Sequence, residues 1–127
     1  MTNKTKSAAG RRVLVVDDEL MIRMLLDGML ADLGHSVAAE AGGIEDAVAL
    51  AEDAEFDVAI LDVNLNGQSI APVVEILVRR GLPFVFATGY GARGIPEAFR
   101  ANPTLQKPFQ AESLARALDA VAAKAAD

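Results

Sequence analysis

The chain has no cysteine, a single histidine, and no apolar stretch approaching the about 20 residues that a membrane-crossing helix needs. Without cysteine there are no disulfides, thiolate metal sites or thiol nucleophile. His35 has no second imidazole to share a metal with; following a helix stop at Gly34, it reads as a surface or helix-end residue and not as a phosphocarrier. Positive charge is scarce: 12 Lys and Arg stand against 18 Asp and Glu, a net charge of -6. That balance argues against nucleic acid as a partner, because phosphate tracking relies on clustered Lys and Arg. The pairs Arg11-Arg12 and Arg79-Arg80 read as solvated charge. Gly42-Gly43 lacks the lysine of a phosphate-binding loop and reads as a turn. The first ten residues carry Lys4 and Lys6, and no apolar signal core follows them. We expect a disordered tail over 1–10, one domain over 11–127, no membrane association and a cytoplasmic location.

What remains is a globular composition, 52% hydrophobic and 24% charged, and 127 residues fit one domain burying roughly two-thirds of its unfolded surface. Apolar residues at Ile22, Leu25, Leu26, Met29, Leu30 and Leu33 have helical spacing with one buried stripe. A short strand is expected over 36–40. A second helix follows Gly42-Gly43, with Ile44, Ala47, Val48, Leu50 and Ala51 on its pattern. Asp57 opens the next strand, and from Ser69 a third helix carries Ile70, Val73, Val74 and Leu77, with Pro72 in its first turn and Gly81 as its stop. A strand over 82–87 precedes a stretch rich in glycine and proline, where a helix fits only about 95–101 and is expected to be short or mobile. A last helix is expected over 112–123. Alternating strands and helices, with central strands apolar on both faces, predict a doubly wound α/β domain with a five-stranded parallel sheet; we expect it to resemble the flavodoxin-like fold, whose strand order 2-1-3-4-5 makes strands one and three neighbours.

Three apolar runs end on reactive side chains. Val13-Leu14-Val15-Val16 meets Asp17-Asp18, Val58-Ala59-Ile60-Leu61 meets Asp62, and Phe84-Val85-Phe86-Ala87 meets Thr88. A fourth run, Thr104-Leu105-Gln106, delivers Lys107. A parallel sheet gathers these ends along one edge. Asp18 alone would serve as an ordinary helix cap, but independent caps do not produce this set. Three carboxylates in a small volume repel one another unless a cation offsets them, and Mg²⁺ suits an all-oxygen site. A carboxylate is also a nucleophile toward phosphorus, and Asp62, ahead of the loop Val63-Asn64-Leu65-Asn66-Gly67, is the candidate, with Thr88 and Lys107 on the phosphoryl oxygens.

This ordered set resembles the receiver domain of two-component response regulators over about 12–123. By resemblance Asp17 and Asp18 are the acidic pair, Asp62 is the phosphoacceptor, Thr88 the switch hydroxyl, and Lys107-Pro108 the Lys-Pro whose peptide is usually cis. Also by resemblance, Asp17, Asp18, Asp62 and the Asn64 carbonyl hold Mg²⁺, or Mn²⁺ in its place. The implied function is acceptance of a phosphoryl group on Asp62 from a histidine kinase or histidine phosphotransfer protein, later loss by hydrolysis, and output through the surface of the fourth and fifth helices. The string Phe84-Val85-Phe86-Ala87-Thr88-Gly89-Tyr90 further resembles the stand-alone bacterial receivers named FAT GUY for their Phe-Ala-Thr-Gly motif. Those are often linked to kinases of the HWE type and act by protein contact. One departure is Thr104, where the family has its switch aromatic; Tyr90 is the candidate replacement ring. Asn64 and Tyr90 occupy the positions that tune phosphoryl lifetime in the family.

The resemblance implies a signalling protein that catalyses only its own phosphorylation and dephosphorylation, as switch, shuttle or phosphate sink. Two other functions fit the same residues less well. A phosphorylation-independent interaction domain would not need the intact acids, Thr88 and Lys107. A small phosphatase of the haloacid-dehalogenase kind would want Asp-x-Asp after the first strand, where this chain has adjacent acids.

Overall fold

The computed structural model describes residues 10–89, 95 and 97–126, with side chains through residue 121. The elements run β1 (Arg12–Val16), α1 (Leu20–Asp32), β2 (Ser36–Ala41), α2 (Ile44–Asp53), β3 (Val58–Asp62), β4 (Asn64–Leu65), β5 (Gln68–Ser69), α3 (Ala71–Arg80), β6 (Phe84–Thr88), a 3-10 turn (Glu97–Phe99), β7 (Thr104–Gln106) and α4 (Ala111–Ala126). Five strands form one parallel sheet in the order β2-β1-β3-β6-β7. Counting only those five gives the expected order 2-1-3-4-5. A 3-10 turn stands where the short fourth helix was expected. The tail over 1–9 and Tyr90 lie outside the described residues.

Strand alternation divides the core. Leu14, Val16, Ala59, Leu61, Phe84 and Phe86 face the α2 and α3 side. Val13, Val15, Val58, Ile60, Val85 and Ala87 face α1 and α4. Both faces are therefore buried, which is why these strands read as unbroken apolar runs. Phe84 sits edge-on to Phe86 and to Phe99, with ring centroids 5.4 and 5.8 Å away, so the 3-10 turn is fastened to β6 by an aromatic contact. The sheet edges are short or irregular: β7 has three residues, and the β1–β2 register slips by one between Val13 and Leu14.

Helix ends follow local chemistry. Pro72 occupies the first turn of α3, where an amide hydrogen has no intrahelical partner. Gly81 closes that helix in the left-handed conformation, φ 72°. Several sequence expectations are corrected here. Leu25 is exposed, because the buried line of α1 runs through Leu26 and Leu30. Asp57 stands just before β3 and pairs with Arg12, accepting from its backbone amide at 2.7 Å and its Nη2 at 3.1 Å. Arg80 is not simply solvated: it donates to the carbonyls of Ala51 and Ala54 and lies 5.4 Å above the Phe56 ring, tying α3 to the end of α2.

His35 is at a helix end, its amide donating to Leu30 O at 2.8 Å, but it is 7% exposed and thus not a surface residue. Its Nδ1 accepts from the Arg11 amide at 3.2 Å, which requires that nitrogen to be unprotonated. Burial first, then the charge of Arg11, lowers its pKa from the usual 6.5, against an upward pull from Asp119. With the folded pKa depressed, the unfolded chain binds more protons just below the ordinary value. The stability His35 contributes is therefore complete above that value and is lost as pH falls through it. Denaturant melts at about pH 7.5 and 5.5 should show a loss for wild type that His35→Gln reduces; parallel losses in both proteins would refute it.

Candidate phosphoacceptor site

Asp17 and Asp18 follow β1 directly, Asp62 ends β3 and Thr88 ends β6. Because β1 neighbours β3 and β3 neighbours β6, these positions meet at one edge. One carboxylate oxygen from each of Asp17, Asp18 and Asp62 lies within 4.8 Å of the others. Asp17 is 1% exposed and Asp62 6%. Asp18 does not cap α1; the N-cap is Glu19, without a side-chain cap bond. Asp17 Oδ1 accepts the Glu19 amide at 2.9 Å, and Asp18 Oδ2 accepts the Asn66 amide at 3.0 Å.

Lys107 enters from β7. Its amide donates to Thr88 O at 2.9 Å, and the Lys107-Pro108 peptide is cis. Lys107 Nζ stands 2.9 Å from Asp17 Oδ2 and 3.3 Å from Asp62 Oδ2. The first approach is poorly directed for a hydrogen bond, so the buried Asp17 Oδ2 is charge-paired but lacks a well-aimed donor. Burial alone would lower the Lys107 pKa, but Asp17 and then Asp62 outweigh it and the net shift is upward. Asp62 is also shifted upward: burial dominates and the Asp17 charge adds to it, against the Asn64 amide and Lys107. Asn64 N donates to Asp62 Oδ1 at 3.2 Å.

The donor set fits a hard divalent cation. All three side chains are carboxylates, one buried oxygen lacks a directed donor, and one ammonium against three carboxylates leaves two negative charges for a divalent ion to cancel. A cleft of about 410 Å³ opens beside them, lined by Asp18, Asp62, Asn64, Thr88 and Lys107, large enough for a phosphoryl group and its waters. Thr88 is 1% exposed at the cleft wall.

Thr104 is placed away from this chemistry. It is exposed, its hydroxyl donates to Asn102 O at 3.1 Å, and it pairs in the ladder with Phe86. Sequence reasoning missed two features, the Asn66-Gly67 tip and Arg23. Asn66 and Gly67 form the tip of the β4–β5 ribbon with φ of 54° and 81°, and the Asn66 amide holds Asp18. Asn-Gly is a strong two-residue hairpin signal, so this one was available. Arg23, on α1, donates to the Asp17 carbonyl at 2.6 Å; its helical spacing gave no sign of that partner.

Comparison with known proteins bears on the family and the fold. The response regulator receiver domain matches residues 13–119. Transcriptional regulatory protein PdtaR of Mycobacterium tuberculosis is 36% identical over 122 residues, 93% of this chain; the chain spans 60% of that relative's length. Chemotaxis protein CheY of Thermotoga maritima is 31% identical over 88% of this chain and 98% of its own. The solution structure of SdrG from Sphingomonas melonis Fr1 superposes with a TM-score of 0.80 at 41% identity, covering 90% of this chain and 97% of that one.

Proposed function

The chain belongs to the response-regulator receiver family, and from that membership we propose that it accepts a phosphoryl group on Asp62 in a Mg²⁺-dependent transfer and signals by protein contact. The observation that carries the proposal is the gathering of Asp17, Asp18 and Asp62 within 4.8 Å, with Lys107 bridging Asp17 and Asp62. Receiver domains are signalling proteins; the phosphoryl group they turn over is their own.

An Asp62 oxygen attacks phosphorus, forming a C–O–P linkage as the P–N bond of a phosphohistidine, or the P–O bond of acetyl phosphate, breaks and the donor leaves with the bond electrons. Asp17, Asp18, Asp62 and the Asn64 carbonyl would hold Mg²⁺, which neutralises phosphoryl oxygens when bound. Lys107 Nζ, already within 3.3 Å of Asp62, carries positive charge to those oxygens, and the Thr88 hydroxyl is the hydrogen-bonding partner on the neighbouring strand end. Attack by water returns Asp62 and inorganic phosphate. Mn²⁺ supports the same donor set. One of the solved relatives is the BeF3-activated conformation of SdrG from Pseudomonas melonis Fr1, 41% identical to this chain, which supports the same phosphoryl chemistry here.

The finer proposals are a stand-alone receiver of the FAT GUY kind, with Tyr90 as the moving ring and a histidine kinase, of HWE type, or a phosphotransfer protein as donor. The stand-alone role rests on the likeness of Phe86-Ala87-Thr88-Gly89 to that subgroup's motif. A protein donor is supported by α1, whose first turns expose Leu20, Met21 (78%), Met24 (61%) and Leu25 directly beyond the acid pair. Exposed apolar side chains clustered beside a reactive cleft suit a docking partner. Met24→Glu should slow transfer from a phosphorylated kinase about tenfold, equivalent to about 1.4 kcal/mol, and leave acetyl phosphate labelling unchanged. Equal slowing with both donors would count against docking there.

The reading itself is tested by intact-mass spectrometry. Wild type with Mg²⁺ and acetyl phosphate, or a cognate phosphorylated kinase, should gain one phosphoryl group, mapping to Asp62 and absent when the metal is chelated. No uptake from either donor, or a label at another residue, would sink it.

A further inference from the structure

Arg23 stands one turn into α1, and its guanidinium is largely buried against the acid pair's backbone. Nη1 donates to the carbonyl oxygen of Asp17 at 2.6 Å, and Nε donates to Glu40 Oε1 on β2 at 3.1 Å. Its side chain is 18% exposed. The guanidinium passes Gly42 so closely that a Cβ there would lie 2.8 Å from Nη1. Asp27, one helical turn on, has its pKa pushed up to about 6, by burial first and then by Glu40. The cation is thus set among carboxylates that keep it in place.

The consequence falls on Asp17. Its amide donates to Ala41 O at 3.1 Å and its Oδ1 accepts from Glu19. With the carbonyl gripped by Arg23 as well, the residue is held at every polar atom except Oδ2, which faces Lys107 and belongs to the three-carboxylate cluster. Gly42 also serves the other member of the pair. Its carbonyl accepts from Asn66 Nδ2 at 3.1 Å, and the Asn66 amide holds Asp18. The corner at Gly42 therefore sets both acids, Asp17 through the space it leaves Arg23 and Asp18 through Asn66.

We propose that Arg23 is a positioning residue for divalent-cation binding: by gripping the Asp17 peptide against Glu40, it aims Asp17 Oδ2 into the site. The proposal rests on the Mg²⁺-dependent reading above. A guanidinium serves two acceptors at once in a fixed plane, whereas a lysine ammonium of shorter reach cannot reproduce both contacts.

The test is Mg²⁺ affinity of the unphosphorylated full chain, from amide chemical shifts during titration, beside thermal melts. Removing a group that orients a metal ligand typically weakens binding about tenfold or more, and Arg23→Met should do so. Arg23→Lys should recover only part of that loss. Gly42→Ala keeps every charge and obstructs only the flexible tip of Arg23, so it should weaken Mg²⁺ binding in the same direction with little change in melting temperature; it decides the matter if Arg23→Met fails to fold. Wild-type affinity in Gly42→Ala and in folded Arg23→Met, or melting temperatures that fall while affinity holds, would overturn the positioning role. Wild type that binds no Mg²⁺ at all would overturn the functional reading with it.

Discussion

Asp62→Asn is expected to take up no phosphoryl group while melting at a higher temperature than wild type. The chemical half follows from nucleophilicity. An amide of the same shape has no carboxylate oxygen to form an acyl phosphate, so labelling should fall by at least about a thousandfold, or about 4 kcal/mol in barrier. The stability half follows from the environment. Asp62 is nearly buried and lies beside Asp17, and its pKa is raised by burial first and by that charge. For an acid with a raised folded pKa, the native state binds more protons than the unfolded one between the ordinary value and the shifted one. Stability is therefore lost as pH rises through that window, and at neutral pH the ionised Asp62 is a burden on the fold. Asparagine removes it. Melts at neutral pH in chelator decide this; a melting temperature several degrees below wild type, or labelling equal to wild type, would contradict the assignment.

The second large effect is on folding alone. Phe86 is fully buried at the middle of the sheet, paired in register with Leu61 and Thr104 and edge-on to Phe84. Truncation to alanine removes the ring from water-free packing and leaves a cavity, a change that costs about 3–5 kcal/mol. Set against a total of about 5–15 kcal/mol for a domain, that is a large fraction of its stability. The melting temperature of Phe86→Ala should fall by roughly 10–20 °C. A loss under about 1 kcal/mol by urea denaturation would mean that the core closes over the gap, contrary to the packing of the two clusters. The contrast with Asp62→Asn is informative: one buried side chain holds the fold together and the other strains it.

Much of this architecture was legible before any coordinates. Strands buried on both faces read as continuous apolar runs, and Gly34, Gly42-Gly43 and Gly81 punctuated them, so the strands and their ends followed, while their order came from the flavodoxin-like fold they resemble. The reactive edge was legible because its side chains are strand-end residues, whose meeting needs only parallel topology. What stayed hidden depends on contacts across the fold. Arg23 looks like any charged position on an amphipathic helix, and its partners are set by how the chain leaves β1, for the Asp17 carbonyl, and by α1 lying beside β2, for Glu40. Leu25 counted toward an apolar stripe by spacing, yet the buried line of the helix runs through Leu26 and Leu30 and leaves it outside. Arg80 looked solvated until the end of α2 came within its reach. Asn66 carried its turn signal openly, but its hold on Asp18 required the ribbon to fold back over the acid pair.

The sheet's two margins have a consequence for association. β7 is only three residues long, and β2, at the other margin, is thrown out of register by one residue against β1. Each offers a poor template for an added strand, which guards a chain with bare apolar helix turns against growing edge to edge into aggregates. Contact with other molecules is thereby left to helix and loop surfaces, where recognition can be made and broken on the timescale of a signal.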